Sequence, residues 1–394
     1  MPGPLSGRRL WFVGIGGAGL SAYAKLARAW GAEVGGWDRV RTPYLEGLDG
    51  ARVEIAPEPV VPEEWEVVVS TAYRDRVAGA SRAQLLAELV GAQRSIVVAG
   101  AHGKTTTTAM IAFVLDRLGL DPAYLVGGDV PQLGGNARAG SGWLVVEGDE
   151  SDRTIEALRP EIAVVLNVDL DHHSEFASRA EVEALFERWL VHVPHVVRGE
   201  TLEPAALELG VPGQHNRRNA AAALAALELA GVPRADAEGV LPEFRGAGRR
   251  FEMVGEAGGV VVVDDYAHNP AKLVAAIAAA RERTEGRVLV LFQPHLYSRT
   301  LHSALELGAA LAAADAAAVT DVYRAREEPV EGVTGKLVVD AALRARPWMR
   351  VAWTPALEDA VRVVASWARP GDLVLTAGAG DVDRAGPLLL EALA

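Results

Sequence analysis

Short apolar, β-branched runs alternate along this chain with longer stretches rich in alanine and leucine. The runs at 10–13, 67–70, 95–99, 143–146, 163–167, 260–264, 288–292, 317–321 and 373–376 predict strands, and another strand ends at Gly36-Trp37-Asp38. The stretches at 18–30, 105–118, 180–191, 217–229, 270–283 and 301–313 predict helices. Repeated strand–helix alternation implies an α/β fold with mainly parallel sheets. In such sheets ligands bind beyond the carboxyl ends of the strands, so chemistry is expected just after each strand. Three glycine-marked strand-to-helix junctions imply three units, with boundaries in 89–94 and 243–249. The expected domains are residues 1–92, 93–244 and 245–394.

Composition narrows the class. Of 394 residues, 50% are apolar and 23% charged, which excludes disorder or a fibrous repeat for the whole chain. The net charge of −13 repels nucleic acid and anionic membrane, and no basic run offsets it. The absence of cysteine excludes disulfides, thiolate catalysis and cysteine-ligated metal. No stretch reaches the ~18 apolar residues of a membrane helix. The first residues lack the apolar core of a signal peptide, so a cytoplasmic protein is expected. Lysine is scarce, at Lys25, Lys104, Lys272 and Lys336 only, which makes each position informative.

The first predicted strand runs into Gly14-Ile-Gly16-Gly17-Ala18-Gly19 and then a helix. Such a loop lets the backbone approach a diphosphate whose charge rests on the helix N-terminus, and Asp38 lies where an acid can hold a ribose. The loop suits a dinucleotide or a UDP-type ligand; read alone it is also an ordinary glycine turn. The strand at 95–99 leads to Gly100-Ala-His102-Gly103-Lys104-Thr105-Thr106, a G-x-x-G-K-T loop opening a helix. Its N–H groups can wrap a triphosphate, Lys104 can reach the β- and γ-phosphates, and the Thr105 hydroxyl can bind Mg²⁺. Val98 stands where the general P-loop has a further glycine, so this is a shorter variant.

Later strands end in acids and histidines. Glu147-Gly-Asp149-Glu150-Ser-Asp152 suits a hard cation such as Mg²⁺, although some of these acids can serve as loop caps. Asp169-Leu-Asp171-His172-His173 can hold a second cation or pair with phosphate. Asn216 and Asn219 share a helix face and either bind a base edge or cap the helix. Arg249-Arg250 is a basic island that either stabilises transferred phosphate or is a salt-bridged linker. Asp264-Asp265-Tyr266-Ala-His268, His295 with Arg299, and Gly378-Ala-Gly380-Asp381 complete the set.

Nine stretches then occur in one order from residue 14 to residue 381: GIGGAGLSAYA, AGAHGKTTTTAM, VEGDESD, LNVDLDHHSEF, GQHNRRNAAAA, FRGAGRRFE, VDDYAHNP, FQPHLYSRT and LVLTAGAGD. In these the chain resembles the Mur ligases of peptidoglycan synthesis, and among them the alanine-adding branch. The resemblance implies three domains: a Rossmann-like UDP-sugar-binding domain, a P-loop ATPase domain and a Rossmann-like amino-acid-binding domain. It implies ATP-driven amide formation between UDP-N-acetylmuramate and L-alanine through an acyl phosphate. By that resemblance Gly14, Gly16, Gly17, Ala18, Gly19, Asp38, Thr42 and Ser70 face the UDP-sugar. Gly100, His102, Gly103, Lys104, Thr105, Thr106, His215, Asn216, Asn219, Arg250 and Asp265 face ATP. Thr105, Glu147 and His172 hold metal, and Lys104, His172, Arg250, His268 and Arg299 carry catalysis.

Two departures from the family accompany this. Many members use a carbamylated lysine in the central domain, and this chain has no lysine between Lys104 and Lys272. The segment 173–212 is brief where the family carries further strands, so the central domain is expected to be shortened with its motifs intact. Three rival readings remain: a recycling ligase that attaches a tripeptide to the same UDP-sugar, an NAD-dependent oxidoreductase, and a nucleotide-binding protein without catalysis. The oxidoreductase reading leaves the Lys104 loop unexplained.

Overall fold

The computed structural model describes residues 3–150, 153–169, 176–325 and 327–394. The first sheet contains β1 (Arg9–Val13), β2 (Glu33–Asp38), β3 (Arg52–Ile55), β4 (Glu66–Val69) and β5 (Ala80–Ser81). Its strands are parallel in the order β3-β2-β1-β4-β5. Helices α1 (Ala18–Ala29) and α2 (Arg82–Ala92) accompany it. Strand alternation divides the core. Leu10 and Phe12 of β1 join the helices in one cluster, while Trp11 and Val13 join Trp37, Trp65 and Val69 on the opposite face. The Trp11 indole is fully buried, donates to the Val60 carbonyl at 2.7 Å and meets Trp65 edge-on. A Cβ on Gly35 would stand 2.7 Å from the Trp11 ring, so this interior glycine is the space the indole occupies.

The second sheet contains β6 (Ser95–Ala99), β7 (Ala123–Leu125), β8 (Ala137–Arg138), β9 (Leu144–Glu147), β10 (Ile162–Val165) and β11 (His195–Arg198), ordered β11-β10-β6-β9-β7-β8. Only the β7–β8 edge pair is antiparallel among these pairings. Helices α3 (Lys104–Arg117), α4 (Arg179–Leu190), α5 (Gln214–Leu229) and α6 (Arg234–Val240) belong to this stretch of chain. Residues Thr105 to Leu115 of α3 are all buried, which is why its pattern reads as continuous apolar and threonine residues rather than as an amphipathic stripe.

The third sheet contains β12 (Glu252–Ala257), β13 (Val260–Asp265), β14 (Val288–Phe292), β15 (Ala316–Val319), β16 (Arg350–Trp353) and β17 (Leu373–Ala377), ordered β12-β13-β17-β14-β15-β16. All its pairings are parallel except the β12 edge. Helices α7 (Pro270–Arg283), α8 (Tyr297–Leu311) and α9 (Lys336–Ala345) pack with one core cluster, and α10 (Leu357–Trp367) and α11 (Ala385–Leu393) with the other. The sheet is thus covered on both faces, as its near-continuous apolar strands require.

The α/β fold class and the predicted strands agree with this architecture, with strand ends displaced by no more than two residues. Within the segment 89–94, α2 ends at Ala92 and only Gln93 and Arg94 separate it from β6. Strands β3, β5, β7, β8, β11, β12 and β16 went unpredicted because a run of two to four residues, or one as polar as Glu-Met-Val-Gly-Glu-Ala, lacks a clear apolar signature. By contact density the chain forms two compact units. One comprises the chain through Glu208 with Arg218–Phe244, and the other comprises Leu209–Arg217 with Arg245–Ala394. No helix among the described residues is long and apolar enough to cross a membrane.

Replacing Trp11 with alanine removes a fully buried ring and its hydrogen bond. The expected loss is about 3–5 kcal/mol in the unfolding transition of the first unit, read by denaturant titration. A loss below about 1 kcal/mol would reject the view that this indole organises the helix-free face of the first sheet.

Candidate active site

The first glycine loop leaves β1 in a conformation tied down by its neighbours. Gly14 has φ of 92° and, with Ile15, donates to the Trp37 carbonyl at 2.8 and 3.2 Å. Asp38 accepts from the Gly16 N–H at 2.7 Å and from the Arg39 N–H at 2.7 Å, and the Thr42 hydroxyl donates to the Gly16 carbonyl at 2.6 Å. Asp38 therefore first holds the loop, a role that its position after β2 did not reveal. Ser70, at the end of β4, sits against Gly14 and leaves no room there for a side chain. Gly17 caps α1 without a side-chain bond, and the first turn carries no acid, so the helix N-terminus presents N–H groups suited to an anion. Gly14, Gly16, Gly17, Gly19, Asp38, Thr42 and Ser70 are brought together; nothing is described for the Ala18 side chain.

The second loop is built by three neighbouring parallel strands. Pairing of β6 with β9 sets Val98 opposite Glu147, and pairing with β10 sets Ala99 opposite Val165. The chain after β6, the acids after β9 and Asn167 after β10 thus emerge at one edge. Asn167 clamps the loop by accepting from the His102 N–H at 2.8 Å and donating to the His102 carbonyl at 2.9 Å. Gly103 has φ of 89°, and a Cβ there would collide with the Asn219 amide oxygen. Lys104 donates to the Gly100 carbonyl at 2.6 Å and to both Glu150 oxygens at 2.9 Å. Burial alone would pull the Lys104 ammonium down; Glu150 and Asp149, with Glu147 behind them, reverse this and hold it above the ordinary lysine value. The Thr105 hydroxyl donates to Glu147 at 3.2 Å, and the other Glu147 oxygen accepts from the Gly127 N–H at 2.5 Å.

A threonine hydroxyl beside a carboxylate is a donor set that fits Mg²⁺, which favours hard oxygens and keeps several positions for phosphate and water. Among the described residues no group of three or more His, Asp or Glu side chains is gathered for a metal. His172, expected as a metal ligand and catalytic group, lies outside the described residues.

Other expected site residues lie in the second unit. Gly213 precedes α5 with φ of 100° and donates to Glu282 at 3.1 Å. Burial draws the neighbouring His215 imidazole below its ordinary value, against the opposing field of Glu282. Asn216 donates its amide to the Pro212 carbonyl at 2.6 Å, so it does serve the start of its helix. Asn219, one turn on, belongs to the first unit beside Gly103.

The basic island splits into two roles. Arg249 donates to Asp264 at 2.9 Å, to the Gly378 carbonyl at 2.8 Å and to the Gly380 carbonyl at 3.0 Å, binding the β17 loop to β13. Arg250 lies over the Tyr266 ring at 5.1 Å, and its charge partly offsets the rise that burial imposes on the Asp265 carboxyl. Asp265 accepts from the Phe251 N–H at 2.8 Å. The His268 Nδ1 lies 2.8 Å from the Tyr266 carbonyl, which can only accept, so Nδ1 carries a proton and Nε2 is the acceptor of the neutral ring. His295 lies 6.1 Å from His268 between ring centroids, stacks on Tyr323, and has Nδ1 within 3.3 Å of Arg299. His268, His295 and Arg299 thus form one cluster. Leu296 between them has φ of 67°, and its N–H and carbonyl are fixed by Tyr323 and Thr300.

Comparison with known proteins follows this geometry closely. A Mur ligase middle-domain model matches residues 98–195, and a Mur ligase glutamate-ligase-domain model matches residues 249–380. A UDP-N-acetylmuramate–L-alanine ligase of Streptomyces avermitilis is 39% identical, over 99% of this chain and 98% of the relative. The chain belongs to the Mur ligase family. A second such ligase, from Rubrobacter xylanophilus, is 38% identical over 98% of this chain and all of the relative. A crystal structure of UDP-N-acetylmuramate–alanine ligase from Thermotoga maritima superposes with a TM-score of 0.80 at 26% identity, covering 97% of this chain and 98% of that one. The Streptomyces alignment runs over 463 positions against the 394 residues here, so this Mur ligase lacks residues that its relative has.

The sequence did not show that Asn167 clamps the Gly100–Thr106 loop, that Glu150 pairs with Lys104, or that Arg249 is the internal clasp. Asn167 was visible as a strand-end polar residue. Nothing in the sequence distinguished Glu150 from the other acids of its turn, or gave Arg249 a role different from that of Arg250.

Burial pushes the Asp265 carboxyl up to about 6, with Arg250 and the Phe251 N–H opposing it. A carboxyl that holds its proton more tightly when folded loses its stabilising contribution as pH rises from about 4 to about 6. Relative to an Asp265→Asn variant, wild type should therefore lose stability between about pH 4 and about pH 7. Chemical denaturation of both proteins across that range checks this, and a pH-independent difference rejects it.

Proposed function

We propose that this Mur ligase joins L-alanine to the carboxylate of UDP-N-acetylmuramate at the expense of ATP. The observation that carries the reading is the full-length likeness to L-alanine ligases, together with Lys104, Thr105 and Glu147 meeting at one sheet edge. The division at 1–92, 93–244 and 245–394 assigns UDP-sugar, ATP and amino acid to successive domains. A shortened central domain is consistent with the long alignment and with β11 being the one strand among the described residues 176–213. The cytoplasm is the compartment where these substrates would be met.

In this reading the substrate carboxylate attacks the γ-phosphorus and the bond to ADP breaks, giving an acyl phosphate. The alanine amine attacks the activated carbonyl, a tetrahedral intermediate forms, and phosphate leaves. No protein nucleophile is needed; what the chain must supply is placement and positive charge. Lys104, held ionised, meets the β- and γ-phosphate oxygens, and Gly100, His102, Gly103 and Thr106 line the loop around them. Thr105 and Glu147, with His172, would hold Mg²⁺, which when bound draws charge from the phosphate oxygens. Arg250 takes the remaining phosphate charge, since Arg249 is committed to Asp264 and the glycine loop. Asp265 takes the ribose, and His215, Asn216 and Asn219 the adenine side. The His268 Nε2 is an acceptor able to take the proton of the attacking amine, and Arg299 pairs with the amino-acid carboxylate. A structural relative, MurF of Thermotoga maritima, was solved with ADP at a TM-score of 0.60 and 18% identity.

The test is phosphate release and product formation with UDP-N-acetylmuramate, Mg-ATP and either L-alanine or a cell-wall tripeptide. L-alanine-dependent release is expected, and dependence on tripeptide alone would assign the recycling ligase instead. Lys104→Ala should reduce turnover by at least about 100-fold without loss of the folded state, since it removes a charge placed for the transferred phosphoryl group. Near-normal turnover would reject the P-loop assignment.

A further inference from the structure

Among the described residues, three acids lie at the end of β9 and in the turn after it, and each has a different partner. Glu147 is engaged by Thr105 and the Gly127 N–H. Asp149 lies 3.9 Å from Arg82 of α2. Glu150 is 2% exposed and has both oxygens 2.9 Å from the Lys104 ammonium. The backbone builds the Glu150 seat. Gly148 donates to the Val98 carbonyl at 2.8 Å, extending the β6–β9 register by one residue, and the Arg153 N–H closes the turn on the Glu150 carbonyl at 3.1 Å. A Cβ on Gly148 would stand 2.8 Å from Val97 and 3.0 Å from Ile155, so a side chain here would require those neighbours to shift.

The mechanism above uses Glu147 and Lys104 but has no work for Glu150. A buried carboxylate has a large effect at this place. It holds the ammonium in place through both of its oxygens. It also cancels much of the field that the ammonium presents to a bound polyphosphate, because the pair together is nearly neutral.

We propose that Glu150 is a positioning residue that acts through Lys104 as its counter-charge, orienting the ammonium while weakening its grip on nucleotide so that ADP can leave. This rests on the reading that the Gly100–Thr106 loop holds the phosphates of ATP. Replacement of Glu150 by glutamine keeps size and a hydrogen-bond acceptor but removes the charge, which unmasks Lys104. ADP should then bind more tightly, by about tenfold, while adenosine, which lacks phosphates, binds as before.

The experiment is calorimetric titration of the full chain with ADP and with adenosine, each with Mg²⁺ and with chelator, for wild type, Glu150→Gln and Glu150→Asp. The expected result is a gain for ADP in Glu150→Gln with and without Mg²⁺. Glu150→Asp, which keeps the charge, should stay within about twofold of wild type. A purely structural role for Glu150 would weaken ADP and adenosine together, and that outcome overturns the proposal. Weaker ADP binding confined to the Mg²⁺ arm would make Glu150 a metal ligand and also overturn it. Unchanged ADP affinity overturns it as well. If wild type itself bound ADP no better than adenosine, the phosphate-loop reading would fail instead, and that failure is distinct because it needs no Glu150 variant. Glu150→Asp keeps the test decisive if the glutamine variant does not fold: tightening in that charged variant would contradict the counter-charge role.

Discussion

A positive charge carried into a buried place is the constraint around which the first unit is arranged. Lys104 opens α3 at the end of β6, where loss of water would favour the neutral amine. It stays ionised because the β9 turn brings Glu150, Asp149 and Glu147 to the same spot. That meeting requires β9 to lie directly beside β6 in parallel, in the register that pairs Val98 with Glu147. A one-residue slip would send the acids to the other face of the sheet. Asn167 depends on the same logic from the other side, through the β6–β10 pairing and its double bond to His102.

The remaining loops repeat this architecture with different chemistry. After β1 the backbone is held by Asp38 and Thr42, leaving open N–H groups at the head of α1. After β13 and β17 the loops are held by Arg249, whose guanidinium joins Asp264 to two glycine carbonyls. In each case a polar side chain is spent on fixing a glycine-rich loop. The cost of such rigidity is a buried polar residue that must be fully bonded, and Asp264 is, through Arg249 and Thr376.

Much of this architecture is legible in the amino-acid sequence. The parallel strands read as unbroken apolar runs because both faces of their sheets are covered, and the ordered motifs after them point to the family. Strands such as β8 and β12 are not legible, because a short or polar edge strand is defined by its partner and not by its own residues. The alternatives open at Asn216 and at the Arg249-Arg250 pair have the same origin. Asn216 bonds the Pro212 carbonyl, and Arg249 is the internal clasp, through contacts with residues up to 131 positions away.

The sequence by itself determined the apolar central strands and the glycine loops that follow them. Periodicity, glycine placement and strand-end chemistry are local properties, encoded within a few residues of each other. Only the tertiary structure decided the division of labour among chemically equal groups: Glu147 toward Thr105, Glu150 toward Lys104, Asp38 toward its own loop, Arg249 inward. Three acids in one turn, or two adjacent arginines, are interchangeable in sequence. They become different once strand register aims each side chain at a different partner and burial fixes which of them is solvated.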